Sequence, residues 1–223
     1  RRDLTLSSNF LQDVTMATST TGATTGKPPL PDALRAATAQ LVSERGPTGF
    51  SLREVARRAG VSHAAPAHHF GDARGLLTSV AAEGFATLCT NFDIAVAGID
   101  DPVERLTAMG KAYVHTAVEN SGHFGVMCND ELVDGDDPAF VDASSGAYER
   151  LLAVIRDIRD AHNPDLDVDA AATMTWSAVH GLATLSPNLD DVAAKTDTAT
   201  SPLDELIEKF TEFMMHGYAA RSD

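Results

Sequence analysis

The most informative segment of the chain is residues 50–72, FSLREVARRAGVSHAAPAHHFGD. Ser51 and Glu54 stand three positions apart, which is the spacing of a capping box at the start of a helix. Gly60 can adopt the left-handed backbone that ends a helix, so a short first helix is predicted between Ser51 and Gly60. Ser62 is expected to cap a second short helix. Two short helices joined by a tight glycine turn are typical of a helix-turn-helix.

Helical periodicity continues on both sides of this segment. Before it, apolar residues at helical spacing predict a helix from Pro31 to the Gly46 break. After it, Asp72 is expected to cap a long helix that reaches about Gly98. Further helices are predicted at about 102–120, 123–132, 138–162, 168–186 and 202–219. No strand pattern interrupts the series, so we expect an all-α protein.

The composition agrees with a helical globular chain. Of the 223 residues, 43% are hydrophobic, which is enough for one ordinary domain or two small ones. Alanine occurs 35 times and aromatic residues make up only 6%, which favours helix over strand. The net charge is -15, but the chain has 9 basic and 6 acidic residues up to position 75, against 8 and 26 after it. A uniformly basic coat is excluded, and any contact with nucleic acid must be local.

The first 30 residues differ from the rest. Residues 18–26 are small and polar and cannot bury enough surface to offset the entropy of ordering them, so residues 1–30 are predicted to form a disordered arm. The alternative is a cloning remnant or a mis-assigned start upstream of Met16. A native arm of this kind can also touch DNA.

Cysteine usage and hydropathy bear on the compartment. Cys89 and Cys128 are not a close-spaced metal or redox pair. No segment reaches the roughly 18 to 20 apolar residues of a membrane helix, and the N-terminus lacks a signal-peptide pattern. We therefore expect a cytoplasmic protein without a membrane partner, a metal or a cofactor.

Two sets of residues resemble a known family. Residues 51–56 (SLREVA), 59–62 (AGVS) and 69–71 (HFG) together resemble the helix-turn-helix of the TetR family of transcriptional repressors, with Arg45 and Gly46 closing the preceding helix as that family does. Residues 175–183 (TWSAVHGLA) are similar to the Trp-His-Gly signature of one type of TetR C-terminal domain.

The resemblance implies an architecture of two domains. A three-helix helix-turn-helix domain would occupy residues 31–76, and a helical domain for effector binding and dimerisation would occupy residues 77–220. Homodimers would form through the last two helices. The apolar stripe from Leu203 to Gly217, behind a Ser201 cap, suits a helix shared between subunits, although the core of one subunit could use it equally well.

A cationic strip is the predicted DNA-binding surface. Arg53, Arg57 and Arg58 fall on the exposed side of the first motif helix, where they suit phosphates; the alternative is a solvated charged face. His63, Ala64 and His68 are expected at base edges or sugars, and Ser62 and His69 at phosphates. The full candidate set is Ser51, Arg53, Arg57, Arg58, Ser62, His63, Ala64, His68, His69 and Arg74.

The recognition helix departs from the family pattern. Pro66, Ala67 and His68 stand where an apolar residue and two tyrosines are usual, and Ala73 replaces a usual lysine. Arg74 is expected to reach the phosphate that this lysine would contact. These departures leave the operator sequence open.

A ligand cavity is predicted in the second domain. Trp176 and His180 stand four residues apart on one face of a helix with many small side chains. Large apolar residues with few polar groups are typical of small-molecule pockets, and the candidates are Phe92, Met109, Tyr113, Phe124, Met127, Trp176 and His180. The alternative is ordinary core packing without a void.

The predicted function is a DNA-binding transcriptional regulator, a repressor released from a pseudo-palindromic operator by a small-molecule effector. The helix from Asp72 to Gly98 would couple the two domains. One alternative is a helical metal-dependent enzyme that uses His115, His123, His180, Asp130 and Glu131. No catalytic motif supports an enzyme. The other alternative is a constitutive DNA-binding dimer without an effector.

Overall fold

The computed structural model describes residues 28–186 and 203–219, with side chains up to Met214. In this part of the chain every regular element is helical, so the all-α prediction is confirmed. Besides a 3-10 turn at Pro47–Gly49, the helices are α1 (Leu30–Arg45), α2 (Leu52–Ala59), α3 (Ala65–Phe70), α4 (Ala73–Val96), α5 (Pro102–Glu119), α6 (Ser121–Met127), α7 (Pro138–His162), α8 (Val168–Leu185) and α9 (Leu203–Ala219). Residues 1–27 of the predicted arm, 1–30, and the Ser201 cap lie outside the described residues, and Leu30 already belongs to α1.

Helix α6 is shorter than the predicted 123–132. The chain leaves the helix after Met127, and the side-chain oxygen of Asn129 accepts a hydrogen bond from the Glu131 amide at 3.2 Å. Asparagine stabilises turns by this local bond, in competition with helix continuation. The segment that follows brings Val133 into the core, where it is 1% exposed.

Helix α4 is the central element of the fold. Asp72 caps it, since its carboxylate accepts a hydrogen bond from the Gly75 amide at 2.8 Å. The helix packs against α3, α5, α6 and α7. Val80, Ala81 and Leu88 are almost completely buried along it, so the main core forms around this helix.

The N-terminal helices have the buried faces that the sequence predicts. Leu34 and Leu41 of α1 and Val55 and Ala56 of α2 are fully buried. The described residues from Pro31 onward belong to one compact unit, and α4 runs from the first predicted domain, 31–76, into the second, 77–220. The boundary between these two domains stays a prediction.

None of the described helices combines the length and the apolar character that a membrane crossing requires.

Candidate DNA interface and effector cavity

Helix α2 begins and ends at the predicted residues. The Ser51 side chain accepts a hydrogen bond from the Glu54 amide at 3.3 Å. At the other end, Gly60 has φ 67° and ψ 38°, and the Val61 amide donates to the Ala56 carbonyl at 3.0 Å. A left-handed residue is strained for most side chains, so this glycine allows the sharp turn from α2 towards α3.

Two of the three predicted DNA-contacting arginines of α2 are ion-paired. Arg57 donates two hydrogen bonds to the Glu54 carboxylate, at 2.7 and 2.8 Å. Arg58 donates two to Glu44, at 2.5 and 2.7 Å. The bond from Arg57 lowers the pKa of Glu54 to about 2, so this carboxylate is charged at neutral pH. Arg53 is exposed and makes no ion pair within the described residues.

Helix α3 corrects one prediction, because Ser62 does not cap it. The helix begins at Ala65, and Ala64 stands at its N-cap without a side-chain hydrogen bond. The reason is Pro66, which has no N–H to donate. A helix capped at Ser62 would need the amide of residue 66 for its first backbone bond, whereas a start at Ala65 places the proline in the first turn.

The remaining candidates of the recognition segment are exposed. Ser62, His63 and Ala64 lie in the turn before α3, and His68 and His69 lie on it. All five side chains are therefore accessible to a ligand from outside, and their contacts with DNA stay a prediction.

Arg74 is directed towards the rest of the protein. Its guanidinium donates two hydrogen bonds to the Val133 carbonyl, at 2.6 and 2.9 Å. One turn further along α4, the Thr78 hydroxyl accepts a hydrogen bond from the Asp134 amide at 2.8 Å. These bonds fasten the loop before α7 to the start of α4, so Arg74 can reach a phosphate only by leaving Val133.

A cavity lies between α4, α5, α7 and α8. Its cavity volume is about 50 Å³, and the surrounding empty space, open mouth included, is about 520 Å³. Four predicted residues line it, namely Phe92, Met109, Tyr113 and Trp176. All of its lining residues belong to the described part of the chain, and none is acidic, basic or a histidine.

The other predicted ligand-binding residues lie beside this cavity. Phe124 and Met127 line a smaller space of about 240 Å³, which Tyr113 also borders. His180 lies outside the lining of both, with its Nδ1 2.8 Å from the Tyr113 hydroxyl and its ring 5.2 Å from that of Phe124. Tyr113 is thus the residue that connects the two groups.

Three polar side chains are connected at Tyr113. The Trp176 indole N–H donates to the Tyr113 hydroxyl at 3.4 Å, and that hydroxyl forms a hydrogen bond of 2.8 Å with His180 Nδ1, in which the tautomer of the ring decides which atom donates. Burial lowers the pKa of His180, which favours its neutral ring. Burial also raises the pKa of Tyr113. Both groups are therefore neutral at physiological pH.

The sequence reasoning missed the contribution of α7. Ser144, Ala147, Tyr148 and Leu151 line the cavity from this helix. Their spacing of three, four and seven positions is that of one helical face, which was a usable signal. Thr175, also missed, lines the cavity from α8. It had no signal, because a threonine beside Trp176 reads as an ordinary core residue.

The histidines proposed for a metal site have separate partners. His115 lies 2.8 Å from Asp204 and His123 lies 3.2 Å from Glu83, whereas His180 bonds to Tyr113. Within the described residues, no three His, Cys, Asp or Glu side chains come together as metal ligands.

Comparisons with known proteins match both parts of the chain. The family described as "Bacterial regulatory proteins, tetR family" matches residues 34–80, and "Tetracyclin repressor-like, C-terminal domain" matches residues 106–210. The comparison with curated protein sequences found no significant match.

Solved structures share the fold. A protein of unknown function from Rhodococcus sp. RHA1 is 27% identical, with a TM-score of 0.72 over 89% of this chain and 100% of that one. The TetR family transcriptional regulator PfmR from Thermus thermophilus is 19% identical, with a TM-score of 0.65 over 82% and 97%. The transcriptional regulator FadR from Bacillus subtilis, solved in complex with stearoyl-CoA, is 15% identical, with a TM-score of 0.66 over 83% and 98%.

The helix-turn-helix of α2 and α3, the helical domain behind it and the two family matches lead to one assignment: the chain belongs to the TetR family of DNA-binding regulatory proteins.

Proposed function

We propose that this chain is a cytoplasmic transcriptional repressor that binds a pseudo-palindromic operator as a homodimer and releases it when a small molecule enters the cavity. The observation that carries the proposal is helix α6. This helix contacts the aromatic side chains around Tyr113 on one side and helix α1 of the DNA-binding module on the other.

The contact between α6 and α1 is very close. A Cβ atom on Gly122 would lie 1.9 Å from the Ala39 carbonyl oxygen, so only glycine fits. Beside it, the hydroxyls of Ser43 and Ser121 are 2.7 Å apart. Interfaces packed this closely transmit displacement, because neither helix can move without the other.

The other side of α6 faces the cavity region. Phe124 packs edge-on against Tyr113, with ring centroids 6.1 Å apart, and Tyr113 borders both cavities. Glu83 of α4 adds an electrostatic connection, since its carboxylate lies 3.2 Å from His123 and 3.3 Å from Arg35 of α1. A ligand that displaces Tyr113 would therefore shift α6 and, through it, α1. This route adds to the predicted coupling through α4.

Two outward stripes support dimerisation through the last two helices. On α8, Met174, Ala178, Gly181 and Leu185 recur at helical spacing, and Met174 and Leu185 are each 58% exposed. On α9, Phe213 is 74% exposed. Large apolar side chains exposed on both helices indicate a surface that a partner covers.

The apolar residues of α9 serve two purposes in the proposed dimer. Ile207 and Met214 are buried in their own chain. Leu206, Phe210 and Phe213 fall on a neighbouring face and remain exposed or half-buried. The proposal assigns the first face to the subunit core and the second to a two-fold interface.

The proposed response to a small-molecule effector has support from the cavity and from one similar structure. Core side chains normally interdigitate, whereas an apolar cavity with an open mouth lies between four helices here, so a constitutive dimer with a filled core fits the structure less well. The FadR structure from Bacillus subtilis contains stearoyl-CoA, which is a small-molecule ligand. An enzymatic role has no comparable support in the described residues.

The test of the proposed function is selection of bound sequences from a random DNA pool, followed by light scattering of the complex. We expect a pseudo-palindromic site, because two recognition helices related by a two-fold enter successive or alternate major grooves. A protein that is monomeric at micromolar concentration, or that enriches no sequence, would refute the proposal.

The same binding assay tests the arginines of α2. Arg57→Ala and Arg58→Ala should weaken binding to all sequences alike and reduce the salt dependence by about one unit of slope for each lost phosphate contact. Arg156→Ala, on the distant helix α7, is the matched control. Equal salt slopes in all four proteins would mean that these side chains do not contact DNA.

A further inference from the structure

One buried hydroxyl in the cavity wall lacks a partner. Thr175 is 4% exposed, and its Oγ1 makes no hydrogen bond with any described residue. The other buried threonines of the described chain behave differently. Thr38, Thr78, Thr116 and Thr211 each donate to the carbonyl four residues earlier, at 2.6 to 3.0 Å.

This difference matters because a helical threonine has an easy way to satisfy its hydroxyl. The carbonyl of the preceding turn is within reach in one of its preferred rotamers. Thr175 does not use the Ala171 carbonyl, although leaving a buried hydroxyl unpaired destabilises the folded state. Buried unpaired polar groups are rare in native proteins and require an explanation.

Three of the other four polar side chains of the cavity wall are already engaged, whereas the hydroxyl of the half-buried Tyr148 makes no hydrogen bond with any described residue. Trp176 donates to Tyr113, Tyr113 lies within hydrogen-bond distance of His180, and the Ser144 hydroxyl donates to the Val141 carbonyl at 3.3 Å. Thr175 is therefore the buried hydroxyl of the wall that can accept from or donate to a ligand.

The charges around the cavity exclude an anionic group in its interior. The wall itself has no cationic side chain. A neighbouring cleft, which shares Phe92 and Met109 with the cavity, contains Arg105 and Arg150. Both arginines are matched, since Arg105 bonds to Asp157 at 2.8 Å and Arg150 bonds to Asp93 at 2.7 Å.

We infer that the ligand of this cavity is a small neutral molecule with an apolar body and one hydrogen-bonding oxygen, such as an alcohol or a ketone, and that Thr175 binds this oxygen. The inference rests on the proposed function, because it names the chemistry of the effector. It differs from an acyl-CoA, whose phosphates need free cationic side chains.

The chain contains its own reporter for a test. Trp176 is the sole tryptophan of the sequence, and it lines the cavity. Its fluorescence therefore reports occupancy without DNA or label. Suitable probes are 1-octanol, 2-octanone and octanoate, which share one chain length and differ in the polar group.

We expect saturable fluorescence changes with 1-octanol and 2-octanone. Octanoate should bind at least about tenfold more weakly, because a buried carboxylate without a partner is costly. Thr175→Val removes the hydroxyl at nearly constant volume and should weaken the two neutral probes about threefold to tenfold. The control Thr211→Val removes a buried hydroxyl on α9 and should leave all three affinities unchanged.

Three results would overturn the inference. These are equal or tighter binding of octanoate, equal affinities in the wild type and Thr175→Val, or no binding of any probe up to its solubility limit. Operator binding is measured separately and without probes. Failure of the inference therefore leaves DNA binding intact, whereas probes that bind without releasing DNA would refute effector-controlled release and leave the ligand class standing.

Discussion

Replacing Thr175 with valine should make the protein more stable, which is an unusual expectation for a buried polar residue. Threonine and valine have the same shape and similar helix propensities, so the substitution changes little except the hydroxyl. Thr175 makes no hydrogen bond with any described residue, so no bond is lost.

The magnitude follows from the desolvation of one hydroxyl. A buried polar group without a partner costs about 1 to 3 kcal/mol, and valine removes this penalty, so the free energy of unfolding should rise by about 1 kcal/mol or more. Thr116→Val provides the matched control, because Thr116 is equally 4% exposed. Its hydroxyl donates to the Ala112 carbonyl and accepts from Asn91 at 2.8 Å. Loss of that hydroxyl leaves the Asn91 amide without its hydrogen-bond acceptor and should lower the free energy of unfolding by about 1 to 3 kcal/mol.

Urea denaturation at one fixed protein concentration measures both variants, since a dimer gains apparent stability with concentration. Opposite signs for the two substitutions are the expected result. A decrease of more than about 1 kcal/mol for Thr175→Val would show that this hydroxyl is bonded in the folded protein, and the argument for a free ligand-binding group would be withdrawn.

Three further predictions concern the coupling helix, the dimer and pH. Gly122→Ala should destabilise the protein by about 1 to 3 kcal/mol or uncouple the cavity from DNA, because its Cβ would overlap a backbone oxygen. Gly125→Ala, whose Cβ would lie 3.2 Å from a valine methyl, should be nearly neutral in the same denaturation and operator-binding assays. Phe213→Glu should weaken dimerisation more than about tenfold in sedimentation measurements. The control Val141→Glu changes an exposed apolar position on α7 and should leave dimerisation unchanged. Equal effects of the two substitutions would argue against an interface on α9. Burial lowers the pKa of His180, so unfolding takes up a proton and the free energy of unfolding should decline as the pH falls below about 6.5. This dependence of stability on pH should be absent from His180→Gln. A dependence that persists in the variant would assign it to other groups.

Local signals made the helix-turn-helix predictable. The Ser51 cap and the left-handed Gly60 both act within one helical turn, and the structure reproduces each of them. The start of α3 was harder to predict, because a favourable cap at Ser62 competes with a proline that cannot donate at position 66. There the missing N–H prevails over the cap, and the helix begins at Ala65.

The cavity was only partly predictable for a different reason. Periodicity shows which face of a helix is apolar, but not where two apolar faces fail to interdigitate. Phe92 and Met109 therefore appear where expected, whereas Phe124 and Met127 border a separate space. The rotamer of Thr175 depends on its neighbours in three dimensions, and no local pattern encodes it.

The glutamates that hold Arg57 and Arg58 have a consequence for the search along the chromosome. Non-specific binding to DNA arises almost entirely from the counterions that free cationic groups displace from phosphates. Arg57 and Arg58 must exchange Glu54 and Glu44 for a phosphate, on a chain that is acidic overall, so each such contact gains less than the contact of an unpaired arginine. Fewer protein molecules are then held at non-specific DNA sites, and a genome offers about 10⁶ to 10⁹ such sites in competition with the operator. In the proposed function, the occupancy of the operator at a low copy number is set by this ratio, so two glutamates help to determine how little protein suffices to fill it.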